Sequence, residues 1–248
     1  MILLFTGIWM FHSISDQKNE SSPPLSNQSS GYDRYQTLDV PEDTLYDLPP
    51  LTVTKNFALS DSVRERLKWA RKPKEIKPRL REYPEQALEL PASSIRYLSQ
   101  ITLKSLIYET FVAEFADGSQ RLLCVIGTPS GPKVDWDAYA RYGNASWESI
   151  LKGEVEGATV RVMPTPSTYY TGRFSDRDKW SAYALESPDI EIPVYGYLPK
   201  GSQLDKSLRN RVRAGAKCAV LSLKFTKETI YGRQAEITEI KTSGWVEK

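Results

Sequence analysis

Histidine is all but absent from this chain of 248 residues: the single one, His12, lies in an apolar N-terminal run. The body therefore has no imidazole to act as general base or metal ligand, which excludes Ser/His/Asp and Cys/His hydrolytic chemistry. Cysteine is nearly as scarce. Cys124 and Cys218 stand far apart with no Cys-x-x-Cys spacing, so a zinc site or redox motif is excluded. Each sits in an apolar run, as buried free thiols do, and pairing across one sheet is the alternative that sequence leaves open. No phosphate loop is present either, since Gly127-Thr128-Pro129-Ser130-Gly131-Pro132 lacks a Gly-Lys-Ser/Thr ending and reads as a turn. Charge of one sign is also missing: 33 Lys and Arg against 31 Asp and Glu leave +2, which argues against a histone-like chain. No period of about 20 to 50 residues marks a repeat array, and no cofactor motif is found.

What is present is aromatic and turn-forming. Fourteen Tyr, seven Phe and six Trp require a packed core, and 16 Pro with 14 Gly imply many turns. The chain divides at residues 15 and 56. Met1 to Ile14, MILLFTGIWMFHSI, is apolar but shorter than the roughly 20 residues of a membrane helix, and no basic stretch precedes it. Trp9 and the polar switch at Ser15 suit a membrane exit, so residues 1–15 are read as an anchor-like or signal-like segment, with membrane contact through residues 1–14. Residues 16–56 are a disordered Ser/Pro/Asn linker and an extended strap, the linker too poor in apolar residues to offset the entropy of ordering. Residues 57–248 form a single globular domain, expected on the extracytoplasmic side; secretion or a cytoplasmic location is the alternative.

Within the body, Ser62-Val63-Arg64-Glu65 is a capping box that opens a helix running to Lys72 before Pro73. A second helix is expected from Pro78, burying Ile76, Leu80 and Tyr83 and stopping at Pro84. Between Ser62 and Glu82 nine Lys/Arg oppose three Glu, a local +6 that leaves −4 for the rest. After Ile95 the period changes to that of strands. Residues 107–116 and 119–127 flank Asp117-Gly118, a hairpin signal. Ser146 caps a helix with Trp147, Ile150 and Leu151 inward and Gly153 as its stop. Strands are predicted at 158–163, 168–174, 180–185, 194–198, 219–225 and 234–240, with a helix from Ser202 burying Leu204, Leu208 and Val212. Helices first, then antiparallel strands without βαβ alternation, give an α+β fold with a curved, cone-like, mainly antiparallel sheet and short interspersed helices.

Several motifs resemble one group of sequences: Ser-x-x-Glu-Arg-Leu followed by Arg-Lys-Pro, Val134-Asp135-Trp136-Asp137-Ala138-Tyr139, Ser146-Trp147-Glu148, Tyr169-Tyr170 and Phe174-Ser175-Asp176. The group consists of uncharacterised bacterial membrane-anchored proteins with a domain similar to nuclear transport factor 2, a cystatin-like cone. The resemblance covers about residues 57 to 248. It implies a pocket on the concave face of the sheet, and some relatives of that cone are isomerases or dehydratases using an Asp base with Tyr donors.

The residues of suitable type nearest a strand-to-helix junction are Asp135, Trp136, Asp137, Tyr139 and Tyr142, with Tyr169 and Tyr170 as a second wall. Asp135 and Asp137 could act as general bases, but their position equally suits a helix cap with Trp136 and Tyr139 in the core. Tyr169, Tyr170, Trp180, Tyr183, Tyr195 and Tyr197 could form an aromatic platform, although strand alternation allows at most half of them on one face. The basic stretch Arg64 to Arg81 lacks a recognition-helix pattern and interleaved aromatics, so no nucleic acid is expected; a solvated face, or contact with anionic lipid, fits better. The expected function is a membrane-tethered, non-enzymatic domain binding a partner protein or small ligand, the alternative being a histidine-free lyase or isomerase with an Asp base.

Overall fold

The structure, a computed structural model, describes residues 49–79, 91–103, 106–226, 233–242 and 244–247, all within one compact unit, Thr37–Lys248. The expectations for residues 1–48, the anchor-like segment and most of the linker and strap, lie outside the described residues. Three short helices come first. Residues 50–56, assigned above to the strap, belong instead to α1 (Pro50–Ala58), where Pro50 takes the first helical position and Val53 and Phe57, one turn apart, are buried. α2 (Val63–Trp69) starts as the capping box predicts, with the Ser62 hydroxyl accepting from the Glu65 N–H at 3.3 Å. α3 (Pro73–Arg79) begins at the residue expected to stop the preceding helix, not at Pro78. A proline without an N–H serves a first turn as well as a stop, and here it does the former. Ile76 is the buried residue of α3; Leu80, Tyr83 and Pro84 lie outside the described residues.

Next comes an antiparallel meander of β1 (Ser94–Leu103), β2 (Leu106–Glu114), β3 (Gln120–Thr128) and β4 (Gly131–Val134). The β2–β3 hairpin turns at Gly118, whose φ of 79° only glycine adopts at no steric cost. β1 and β4 are strands that the pattern did not reveal. A bulge between Tyr97 and Ser99 breaks the alternation of β1, and β4 is four residues long with Pro132 on its edge. Both faces of the central strands are covered. Phe111, Ala113, Leu123 and Val125 pack with Val53, Phe57, Ile76, Trp136 and Tyr139 on the helical side, while Tyr108, Cys124 and Ile126 pack with Ala138, Trp245 and Val246 on the other. Two short helices follow, α4 (Trp136–Ala140) and α5 (Trp147–Leu151), the latter capped by Ser146 as expected, with Ile150 buried and Trp147 half-buried.

The remaining strands are β5 (Gly157–Ser167), β6 (Trp180–Glu186), β7 (Val194–Pro199), β8 (Ala219–Lys224) and β9 (Gln234–Thr242), with α6 (Gln203–Arg213) between β7 and β8. They close into a barrel in the order β5-β6-β7-β9-β8, with β7 and β9 parallel and the other neighbours antiparallel. This is a five-stranded Greek-key barrel, the architecture of OB-folds, from which no activity follows. Val160, Val162, Tyr183, Leu185, Leu198, Leu221 and Ile237 contribute to its core, and α6 adds Leu208. At Gly196 a Cβ would lie 2.8 Å from Ile237 and 2.9 Å from Leu185, so any side chain there would force these core residues to shift. Residues 168–174, predicted as a strand, instead leave the sheet in a loop ending in a 3-10 turn, Gly172–Phe174, that seats Phe174 against Tyr197 at 4.0 Å. The α+β class stands, with the curved antiparallel strands divided between meander and barrel.

One side chain ties these parts together. Arg161 leaves the outer side of β5 and is almost wholly buried: its Nε donates to the Trp245 carbonyl at 2.9 Å, its Nη1 to the Tyr142 carbonyl, and its Nη2 to Glu247 Oε1 at 3.0 Å. From the helical side, Arg71 Nη2 donates to the Glu247 carbonyl at 2.6 Å. The C-terminal segment is thereby held between barrel and helices. Arg161→Ala leaves two carbonyls and a carboxylate without their donor, and should destabilise the protein by roughly 3 kcal/mol or more in urea denaturation. A loss below about 1 kcal/mol would mean that the clamp carries little of the fold.

Candidate functional site

Where α3, α4, β5, β9 and the C-terminal segment converge, they leave a cleft of about 300 Å³. Four of the residues proposed from sequence line it: Asp135, Trp136, Asp137 and Tyr142. Tyr139 does not. It is 1% exposed and stands edge-on to Phe57 at 4.9 Å, in the core role weighed for it. Tyr169 and Tyr170 lie elsewhere, on the outer face of the barrel, where Tyr169 stacks on Tyr195 at 4.2 Å and Arg177 lies over Tyr170 at 5.4 Å. Strand alternation sends Tyr183 into the barrel core and groups Tyr195, Tyr197 and Trp180 outside it.

Sequence reasoning missed the cations of the cleft: Arg71, Lys72, Arg79, Arg161 and Lys241. A signal existed for two kinds of them. Arg71, Lys72 and Arg79 belong to the +6 stretch, read above as a solvated face or a contact with anionic lipid, and Arg161 interrupts an apolar strand, where an unpaired charge would be too costly to tolerate.

Each carboxylate in the cleft has a cation beside it. Asp135 Oδ1 caps α4 by accepting from the Ala138 N–H at 2.8 Å, and Oδ2 stands 3.5 Å from Arg71 Nη2. Burial pushes its pKa up, and the cap hydrogen bond and Arg71 offset only part of that rise. Both oxygens of Asp137 accept from Arg79 Nη1 at 3.0 Å, while the Arg79 guanidinium lies 5.0 Å above the Tyr142 ring, which in turn tilts against Trp136 at 5.8 Å. Glu247 serves Arg161, with Lys241 at 4.0 Å; Glu75 is 3.7 Å from Lys72, a residue with φ of 53°. The arrangement offers many N–H donors and aromatic walls, and its acids are held by capping or ion pairing. Among the described residues no group of three or more His, Cys, Asp or Glu could hold a metal ion.

The two cysteines are free thiols that share the core between meander and barrel. Burial pushes both up, Cys218 to about 12, so neither is a ready nucleophile at neutral pH. Compared with protein-family models, with curated proteins and with solved structures, the chain matches none. Among the described residues no helix is long and apolar enough to cross a membrane.

Just outside the cleft, Arg141, at φ 51° after α4, donates through Nε to Asp189 Oδ2 at 2.8 Å and through Nη2 to Oδ1. Burial alone would raise the Asp189 pKa, but the hydrogen bonds and charge of Arg141 more than reverse it, so it is lowered. The two aspartates thus have opposite pH signatures. A raised folded pKa means that the stability Asp135 contributes when protonated is lost as pH rises through that value; a lowered one means that the stability from Asp189 is present at neutral pH and lost as pH falls through it. Asp135→Asn, which keeps a good cap, should therefore gain on the wild type as pH rises above about 4, whereas Asp189→Asn should fall behind it as pH rises toward about 4 from below and keep that deficit at higher pH. Urea denaturation across pH 3 to 7 (roughly the carboxylate range and above) checks this, and parallel profiles for the two variants would contradict it.

Proposed function

We propose that the protein is a membrane-tethered, non-enzymatic domain whose cleft binds a partner protein or a small ligand. The observation that carries this reading is the state of the two candidate bases. Asp135 is occupied as the α4 cap and lies beside Arg71, and Asp137 is held through both oxygens by Arg79. A general base needs a free oxygen aimed at a substrate proton. Here both carboxylates are committed to protein donors, while cations and aromatic rings line a space large enough for a small molecule. Tethering is supported by the apolar run of residues 1–14 and the Ser/Pro-rich stretch after it, and we infer an extracytoplasmic setting from the same features. Kinship with the bacterial membrane-anchored cone proteins rests on the shared sequence motifs alone. The second reading, a lyase or isomerase with an Asp base, draws on one observation: Asp135 is a buried carboxyl with a raised pKa in a cleft.

The two readings separate on Asp137→Asn. Binding predicts a change of on the order of 1 kcal/mol in the affinity of whichever compound from a thermal-shift panel of sugars, amino acids, carboxylates and phosphates stabilises the full chain, with no turnover of any. Turnover that disappears in Asp135→Asn or Asp137→Asn, with circular dichroism unchanged, would replace the binding reading by the enzymatic one.

A further inference from the structure

The cleft has five cations and four acids on its walls, and the surplus is unevenly held. Arg161 is fully engaged by Trp245, Tyr142 and Glu247 and forms part of the clamp. Arg79 and Asp137, by contrast, meet at about one-third exposure each, where an ion pair contributes little. The pairs of Lys72 with Glu75 and of Lys241 with Glu247 are looser still, at 3.7 and 4.0 Å. On the opposing side of the balance, Asp135 is already occupied by the α4 cap and by Arg71.

We propose that the cleft takes a phosphate group, with Arg71, Lys72, Arg79 and Lys241 as donors and the Asp137 carboxylate as a built-in competitor that holds Arg79 until the ligand displaces it. This rests on the cleft being a binding site. Inorganic phosphate or a phosphate monoester presents more acceptor oxygens and more charge than a carboxylate, so exchanging Asp137 for it on Arg79 strengthens the charge-assisted hydrogen bonds there. Three of the donors belong to the helical segments and Lys241 to β9, so the cleft draws its cations from two separate parts of the chain. Tyr142 and Trp136 form a wall against which the organic part of a phosphate ester can pack. Three of the donors come from the +6 stretch that sequence alone left as a solvated face or a lipid contact. The phosphate can belong to a lipid headgroup or to a soluble ester; a diester headgroup carries one charge and two free oxygens, so its gain over the Asp137 carboxylate comes from reaching several donors at once.

The test uses the full chain, purified in detergent, with titration calorimetry against inorganic phosphate. In parallel it is reconstituted on vesicles of phosphatidylcholine alone and of phosphatidylcholine with phosphatidylglycerol, and the quantity read is the added retention due to phosphatidylglycerol. Wild type should bind one or both probes saturably. Arg79→Gln and Lys241→Gln should each weaken binding by about tenfold, and Asp137→Asn should tighten it several-fold, because it removes the competitor. Tightening by Asp137→Asn is the outcome that a merely structural ion pair would not give. Lys241 is about one-third exposed and its one ion pair is loose, at 4.0 Å, so its variant keeps the test readable if Arg79→Gln fails to fold by circular dichroism. Binding of inorganic phosphate alone assigns a soluble ester, and phosphatidylglycerol dependence lost in the variants assigns a lipid. No binding of either probe, or binding indifferent to Lys241→Gln and Asp137→Asn, overturns the proposal. If an amino acid or sugar then shifts the melting temperature of wild type but not of Lys241→Gln, only the phosphate assignment falls. Turnover dependent on Asp135 or Asp137 would remove the binding reading beneath it.

Discussion

Burying the guanidinium of Arg161 on the outside of a barrel strand is tolerable only if its N–H groups find acceptors, and the acceptors come from three separate places: the Tyr142 carbonyl, the Trp245 carbonyl and the Glu247 carboxylate. That requirement couples β5 to the loop after α4 and to the C-terminal segment at once. Arg71 then takes the Glu247 carbonyl from the helical side. Arg71, Tyr142, Arg161 and Glu247, all members of this hydrogen-bonded set, line the cleft.

The apolar counterpart of this clamp is the layer between meander and barrel. Trp245 and Val246 insert among Tyr108, Cys124, Ile126 and Ala138, so the second face of the meander is covered by the chain terminus as well as by barrel residues such as Met163 and Cys218. A sheet with one covered face would show polar residues at alternate positions of β3. Instead Leu123, Cys124, Val125 and Ile126 are all buried, because helices cover one side and this layer the other.

Local signals were legible wherever the physics is local. The Ser62 capping box, the Asp117-Gly118 turn, the Ser146 and Ser202 caps and the alternation of residues 219–225 all correspond to elements found. What could not be read depends on partners distant in the chain. Barrel closure, the parallel β7–β9 pairing and the docking of Trp245 have no local code, and β1 was hidden by its bulge. The candidate site divided in the same way. Residues 135–142 were found because a strand-to-helix junction brings acids and rings together, whereas Arg161 and Lys241 reach the cleft only through the barrel. Tyr169 and Tyr170, expected as a second wall, lie apart from the cleft because their segment leaves the sheet as a loop and folds onto the barrel's outer face.

The central claim is that the C-terminal segment, gripped by Arg161 and Arg71, holds the barrel against the helical side and so maintains the cleft. Amide hydrogen exchange on the full chain and on a chain ending at Gly244 tests it most directly. The account predicts that truncation leaves protection in the barrel strands β6 and β7 near its original level while protection falls in α3, in α4 and in residues 141–144, since local opening follows loss of buried contacts. Protection unchanged in α3 and α4 after truncation would contradict it.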